Sequence, residues 1–138
     1  MYLLDTTIPS ELRKGRGANR NVIAWLDSTP IDLQYLSVIT VLEMRVGALQ
    51  REQDDPSQAS SLHRWLDTQV IPTFAGRILP VSLAVAERCA ALHIPTERED
   101  LDMLIAATAL VHDFVVVTRN VRHFSPTGVR VINPWEPL

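Results

Sequence analysis

The sequence predicts an α/β fold, with helices packed around a central, largely parallel sheet. Three observations carry that prediction. Apolar runs too short for helices recur at Tyr2-Leu3-Leu4, Leu33 to Leu36, Ile78 to Val81, Phe114 to Val117 and Val129 to Ile132. Longer stretches with helical spacing lie between them, and such alternation marks crossover connections in a parallel sheet. Two of the runs also stop abruptly on polar groups, Leu4 on Asp5 and Val117 on Thr118-Arg119-Asn120. In open parallel sheets ligands collect beyond the carboxyl ends of the strands, so the site is expected there.

Each element has its own local reason. After the first strand, Pro9 suits the first turn of a short helix. Arg13-Lys14-Gly15-Arg16-Gly17 reads as a flexible basic loop. Asn19 to Asp27 reads as a helix carrying Val22, Ile23 and Leu26, ended by Ser28-Thr29-Pro30. Ser37 is placed to cap the next helix. There Ile39, Leu42, Val46 and Leu49 recur as an apolar stripe, taken as the buried face. Helices are expected from about Ala59 to Val70 and from Ser82 to Leu92, with a loop over His93 to Glu99 around Pro95. From Asp102 to His112 no charged residue intervenes, so this helix is expected to be covered on every side. The β-branched run at Val115-Val116-Val117 marks a strand buried on both faces.

Composition removes several functional classes. The chain has 138 residues, about one domain, with 46% hydrophobic and 21% charged residues, which is the balance of a globular protein. Cys89 is the single cysteine, which excludes an internal disulfide or a cysteine-rich zinc site. No basic leader followed by an apolar core and no membrane-length apolar run is present, so a cytoplasmic protein without membrane contact is expected. The net charge of −3 argues against indiscriminate coating of DNA, although acids clustered around a metal would mask a nucleic-acid enzyme. Of the thirteen basic residues only Lys14 is lysine. Phosphate recognition and codon composition both explain that bias.

Three acids stand out. Asp5 follows buried apolar residues directly, so it must be hydrogen-bonded as a cap, paired, or bound to metal. Glu43 lies roughly 40° around its helix from Ile39, where a buried face meets solvent or a cleft. Asp102 sits in the first turn of the apolar helix, where the dipole favours an acid, and Asp100 is an equally placed alternative. Oxygen-only ligation by a few carboxylates suits Mg²⁺ or Mn²⁺. His63, His93, His112 and His123 show no zinc-binding spacing. No phosphate-binding glycine loop and no Gly-x-Ser-x-Gly elbow occurs. A phosphatase that begins at a strand-ending aspartate wants a second acid two residues on, and position 7 is threonine.

Five blocks then fall in order along the whole chain: Leu3-Leu4-Asp5-Thr6, Leu36-Ser37-Val38-Ile39-Thr40 with Glu43, Asp102 followed by Leu104 to Leu110, Val117-Thr118-Arg119-Asn120-Val121 with Phe124, and Asn133-Pro134-Trp135. The pattern resembles PIN-domain proteins of the VapC toxin type, in their FitB-like branch. The resemblance implies a PIN-like three-layer α/β/α sandwich with a mainly parallel sheet, as a single domain over residues 1–138. It further implies an endoribonuclease dependent on Mg²⁺, with Mn²⁺ as the other fit, that hydrolyses RNA phosphodiesters by metal-activated water. Asp5 and Asp102 match the metal-binding aspartates, and Glu43 matches their acidic partner. Asn120 stands where many relatives carry a further aspartate, an exchange similar to the FitB-like pattern. Thr7 replaces the usual asparagine and His123 an aspartate. The family register selects Asp102 over Asp100.

Arg119, and beside it Arg122, are expected to steady a phosphate, and Arg13, Lys14, Arg16 and Arg20 to follow an RNA backbone. The implied partners are a VapB/FitA-like antitoxin, a second copy of the chain in a homodimer and larger toxin–antitoxin assembly, and operator DNA through the antitoxin only. A non-catalytic PIN-fold module serving transcriptional autoregulation is the alternative, kept open by Asn120.

Overall fold

Leu3-Leu4 and Val116-Val117 lie side by side at the centre of a five-stranded sheet. The protein is described here by a computed structural model covering residues 1–137. The strands are β1 (Tyr2–Leu4), β2 (Gln34–Ser37), β3 (Ile78–Leu79), β4 (Val115–Val117) and β5 (Val131–Ile132). Their order is β3-β2-β1-β4-β5 and every pairing is parallel. Leu4 pairs with Val117, so β1 and β4 end together. The chain adds β2 and β3 on one side of β1 and β4 and β5 on the other. The switch of direction therefore falls between β1 and β4, the crevice where such sheets bind ligands.

Helices cover both faces: α1 (Thr7–Leu12), α2 (Arg20–Ser28), α3 (Val38–Gln50), α4 (Pro56–Trp65), α5 (Ile71–Thr73), α6 (Leu83–Thr96), α7 (Leu101–His112) and α8 (Val121–Phe124). Alternation along the strands divides the core in two. Leu3 and Val116 join Val85, Met103, Ile105 and Phe124 on one face. Leu4 and Val117 join Ile8, Trp25, Leu36 and Leu66 on the other. Asn19, Ser37 and Ser82 cap α2, α3 and α6 through their side chains. The three-layer α/β/α sandwich expected from the sequence is what the chain forms.

Several local expectations are corrected. In α3 the buried residues are Ile39, Thr40, Met44 and Ala48, whereas Leu42, Val46 and Leu49 are 44%, 41% and 51% exposed. The helix is apolar on two sides, and its more conspicuous stripe points away from the sheet. Residues 93–99 are not all loop, because α6 continues through Pro95 to Thr96. A proline in the last turn removes one bond only, and the Thr96 hydroxyl (to the Leu92 carbonyl, 2.7 Å) and the Glu97 amide (to His93, 2.8 Å) close the end. The helix expected over 59–70 starts at Pro56 and runs on through one wide π turn at Leu66–Val70 into α5. The basic stretch after α1 is a short 3₁₀ turn at Gly15–Gly17, with Lys14 paired to Glu11 at 2.9 Å. Trp25 belongs to the core, and α7 is buried from Met103 to Ala109 apart from half-buried Leu104, as its composition demands.

Two substitutions probe this packing. Phe124 is fully buried, and Phe124→Ala is expected to cost about 3–5 kcal/mol in urea unfolding. Thr40 is also fully buried, yet its hydroxyl has no hydrogen-bond partner among the described residues. Thr40→Val keeps the shape and removes the orphaned group, so it should raise stability by about 1 kcal/mol.

Candidate active site

The end of β1 is bound to the end of β4 through one carboxylate. Asp5 is 3% exposed, and its amide donates to the Val117 carbonyl at 3.0 Å. Its Oδ1 accepts from the Thr7 amide at 3.0 Å and from the Thr7 hydroxyl. Its Oδ2 accepts from the Thr118 hydroxyl at 2.5 Å. Thr118 Oγ1 in turn accepts from the Asn120 amide, 2.9 Å, and Thr7 Oγ1 from the Arg119 amide, 3.2 Å. Asp5 is thus hydrogen-bonded, as its burial requires, but it forms a turn onto Thr7 and does not cap α1, whose N-cap is Thr6. Three donors lower its pKa, but burial outweighs them, and with Asp102 nearby the carboxyl is pushed up from 3.8 to about 6.

Glu43 reaches the same region from α3. Thr6, the residue after Asp5, donates its hydroxyl to Glu43 Oε1 at 3.0 Å. Partial burial raises the Glu43 pKa against that bond, and the charges of Asp102, Asp5 and Asp100 add to the rise. Asp102 stands in the first turn of α7, with its Oδ2 2.8 Å from His123 Nδ1. Asp100 is occupied otherwise. The Arg98 guanidinium grips both its oxygens, 2.8 and 3.0 Å, and holds its carboxyl below the usual range. The fold therefore gathers Asp5, Glu43 and Asp102 from three separate segments into one electrostatic neighbourhood.

The remaining candidates sit on the turn after β4. Asn120 is exposed, and its side-chain amide makes no hydrogen bond among the described residues. The Arg119 guanidinium lies over the Trp135 ring, 5.3 Å from its centre. Arg119, Asn120, Arg122 and His123 line an open cleft of about 540 Å³ together with Asn133 and Glu136. The sequence reading missed the hydroxyl shell of Thr6, Thr7 and Thr118 and the bond from His123 to Asp102. Thr118 carried a usable signal, because it ends an apolar strand just as Asp5 does.

The donor set suits a hard divalent cation, being oxygen-only and mutually repulsive. As the side chains stand, no three acidic, histidine or cysteine groups among the described residues converge on one point. Thr6 and His123 hold Glu43 and Asp102 from outside.

Stability should follow Asp5 with pH. Because burial raises the folded-state pKa, its contribution is fully present below about pH 4 and is lost as pH rises to about 6, beyond which it is flat. Asp5→Asn, in metal-free buffer, should therefore be more stable than wild type at pH 7, by up to about 3 kcal/mol. The gain should shrink toward zero as thermal unfolding is repeated down to pH 4.

Comparison with known proteins places this geometry in a family. The PIN domain model matches residues 2–128. Over 99% of both chains, the protein is 37% identical to the VapC ribonuclease Y4jK of Sinorhizobium fredii. It is 39% identical to toxin FitB of Neisseria gonorrhoeae, over 98% of this chain and 99% of that one. Its structure superposes on a chain of the solved complex of FitAB bound to an IR36 DNA fragment with a TM-score of 0.87, at 38% identity, covering 100% of this chain and 98% of that one. The chain is thus a PIN-domain protein built on a parallel α/β/α sandwich, and it belongs to the VapC/FitB family of toxin ribonucleases from toxin–antitoxin systems.

Proposed function

We propose that this protein is an endoribonuclease toxin that hydrolyses RNA phosphodiester bonds with Mg²⁺, or Mn²⁺, held by Asp5 and Asp102 and with Glu43 completing the centre. The observation that carries the reading is the anionic cluster itself. Burial and neighbouring charge both disfavour ionised Asp5 and Glu43, and the basic side chains on that side, Arg98 and His123, are bonded to Asp100 and Asp102. A divalent cation relieves that repulsion. When bound, it lowers the pKa of a water and stabilises the departing oxyanion.

The protein groups supply position. Thr7 and Thr118 hold Asp5 in one rotamer from opposite sides, and Thr6 ties Glu43 to the same turn. Asn120 offers an uncommitted amide for a water or a ligand, and Arg119 a guanidinium for a phosphate oxygen. His123 meets only Oδ2 of Asp102, so Oδ1 would remain to hold the ion. The neutral amide of Asn120 on the turn after β4 favours, as a second reading, a non-catalytic module acting with its antitoxin in transcriptional autoregulation. The partners proposed are a VapB/FitA-like antitoxin, operator DNA through that antitoxin, and a second copy of the chain in the cytoplasm. The exposed row Val38, Leu42, Val46 and Leu49 on α3 supports the dimer, being the kind of apolar surface an interface covers.

The decisive assay is cleavage of total RNA by purified, antitoxin-free protein. Discrete fragments are expected with Mg²⁺, none with EDTA, and at least about a hundredfold less in Asp5→Asn and Asp102→Asn. Mg²⁺ should also raise the melting temperature of wild type and not of Asp5→Asn. Melting that responds to Mg²⁺ without RNA cleavage would favour the non-catalytic module. Separately, Leu42→Asp with Val46→Asp should convert a dimer to a monomer in sedimentation velocity.

A further inference from the structure

A groove leads away from the acidic centre on the side of α3. It has a volume of about 230 Å³, and Thr6 and Glu43, which belong to the centre, form one end of it. Along α3 and its C-cap, Glu43, Met44, Gly47 and Arg51 face it, and Glu43, Gly47 and Arg51, spaced four apart, stack on one side. The backbone rises about 12 Å from Glu43 to Arg51. Arg13 and Trp65 stand on the opposite wall, the guanidinium 5.8 Å from the centre of the indole ring and bonded to Ser61 at 3.1 Å.

We infer that this groove is a substrate track, in which Arg51 and Arg13 bind phosphates of single-stranded RNA adjoining the scissile bond and Trp65 receives a base. The inference rests on the ribonuclease reading above. Three features favour RNA as the occupant. The groove is continuous with the acidic centre, so a strand lying across that centre enters it directly. Its charge is ordered, with its one acid at the centre and two cations beyond, as a polyanion requires once it leaves the metal. Arg51 is exposed and its side chain has no ion pair or hydrogen bond among the described residues. Gly47 adds an independent observation. Glycine is the least favourable residue short of proline inside a helix, yet a Cβ here would meet nothing within 4 Å. The space beside it is therefore open groove.

The test compares wild type, Arg51→Ala, Arg51→Lys and Gly47→Leu, with Arg130→Ala at the other end of the sheet as control. Two measurements are made on one labelled single-stranded RNA: equilibrium binding in EDTA across a salt series, and cleavage in Mg²⁺. Arg51→Ala should weaken binding about tenfold, uniformly across sequences, and should lower the log–log salt slope by about 0.7. Arg51→Lys should keep the slope. Gly47→Leu should melt no lower than wild type and still raise Kd and KM about tenfold. Cleavage by wild type with Kd, KM and slope unchanged in Arg51→Ala and Gly47→Leu overturns the track alone. If those two variants instead lose only capture of an antitoxin segment, the groove belongs to a protein partner, and the inference is overturned. Failure of wild type to bind or cleave any RNA overturns the track together with the ribonuclease reading.

Discussion

A carboxylate with almost no contact with solvent, at the end of the central strand, is the constraint on which the rest of the structure depends. Asp5 follows two fully packed leucines, so its charge is removed from water by the same burial that builds the core. The three hydrogen bonds it receives offset part of that cost but not all of it. Two come from Thr7 nearby, and for the third, from Thr118, β1 and β4 must end in register, which the pairing of Leu4 with Val117 secures. Thr118 must be buried and turned toward β1, and it is fully buried. The switch of strand order between β1 and β4, the hydroxyl shell and the acidic centre are therefore one feature seen at three scales.

The same constraint explains why the other two acids come from helices. A sheet edge has room for one buried carboxylate at this depth, because each further charge there would be desolvated too. Glu43 and Asp102 instead project from α3 and α7, where each keeps partial exposure and one outer partner, Thr6 or His123. Burial is the main reason that Asp5 and Glu43 hold their protons more tightly than free carboxyls do, and the charge of Asp102 adds to it at both. An ion of opposite charge bound there would be linked to folding, since it would stabilise an arrangement that repels itself without one.

What was legible in the sequence follows from which interactions are local. A polar residue that abruptly ends an apolar strand is visible in a window of five residues, and that signal located Asp5 and the turn at Asn120. The uninterrupted apolar stretch after Asp102 likewise announced a buried helix. Of the hydroxyl shell only the polar stop at Thr118 was legible; its partner and that of Thr6 were not, because those bonds join residues 113 and 37 positions apart. The acid beside Asp102 was ambiguous for a related reason. Asp100 and Asp102 are told apart by their partners, the Arg98 guanidinium on one and the His123 ring on the other. Pro95 misled because a proline signals a helix end without saying whether that end lies before or after it.

Helix α3 shows a deeper limit. Periodicity detects an apolar face but not its partner, since the hydrophobic effect is non-directional. Here the face toward the sheet is built of Ile39, Thr40, Met44 and Ala48, and the stronger stripe of Val38, Leu42, Val46 and Leu49 is left outside. Between them runs the row of Glu43, Gly47 and Arg51. Three surfaces on a helix of thirteen residues leave it little freedom. Because α3 is rigid and carries Glu43, anything that shifts it along the sheet moves Glu43 relative to Asp5, which β1 and β4 hold in place. The 3.0 Å bond from Thr6 is the direct side-chain link that resists such a shift. The outer stripe and the acidic centre thus share one helix, which one hydroxyl ties to the turn after β1.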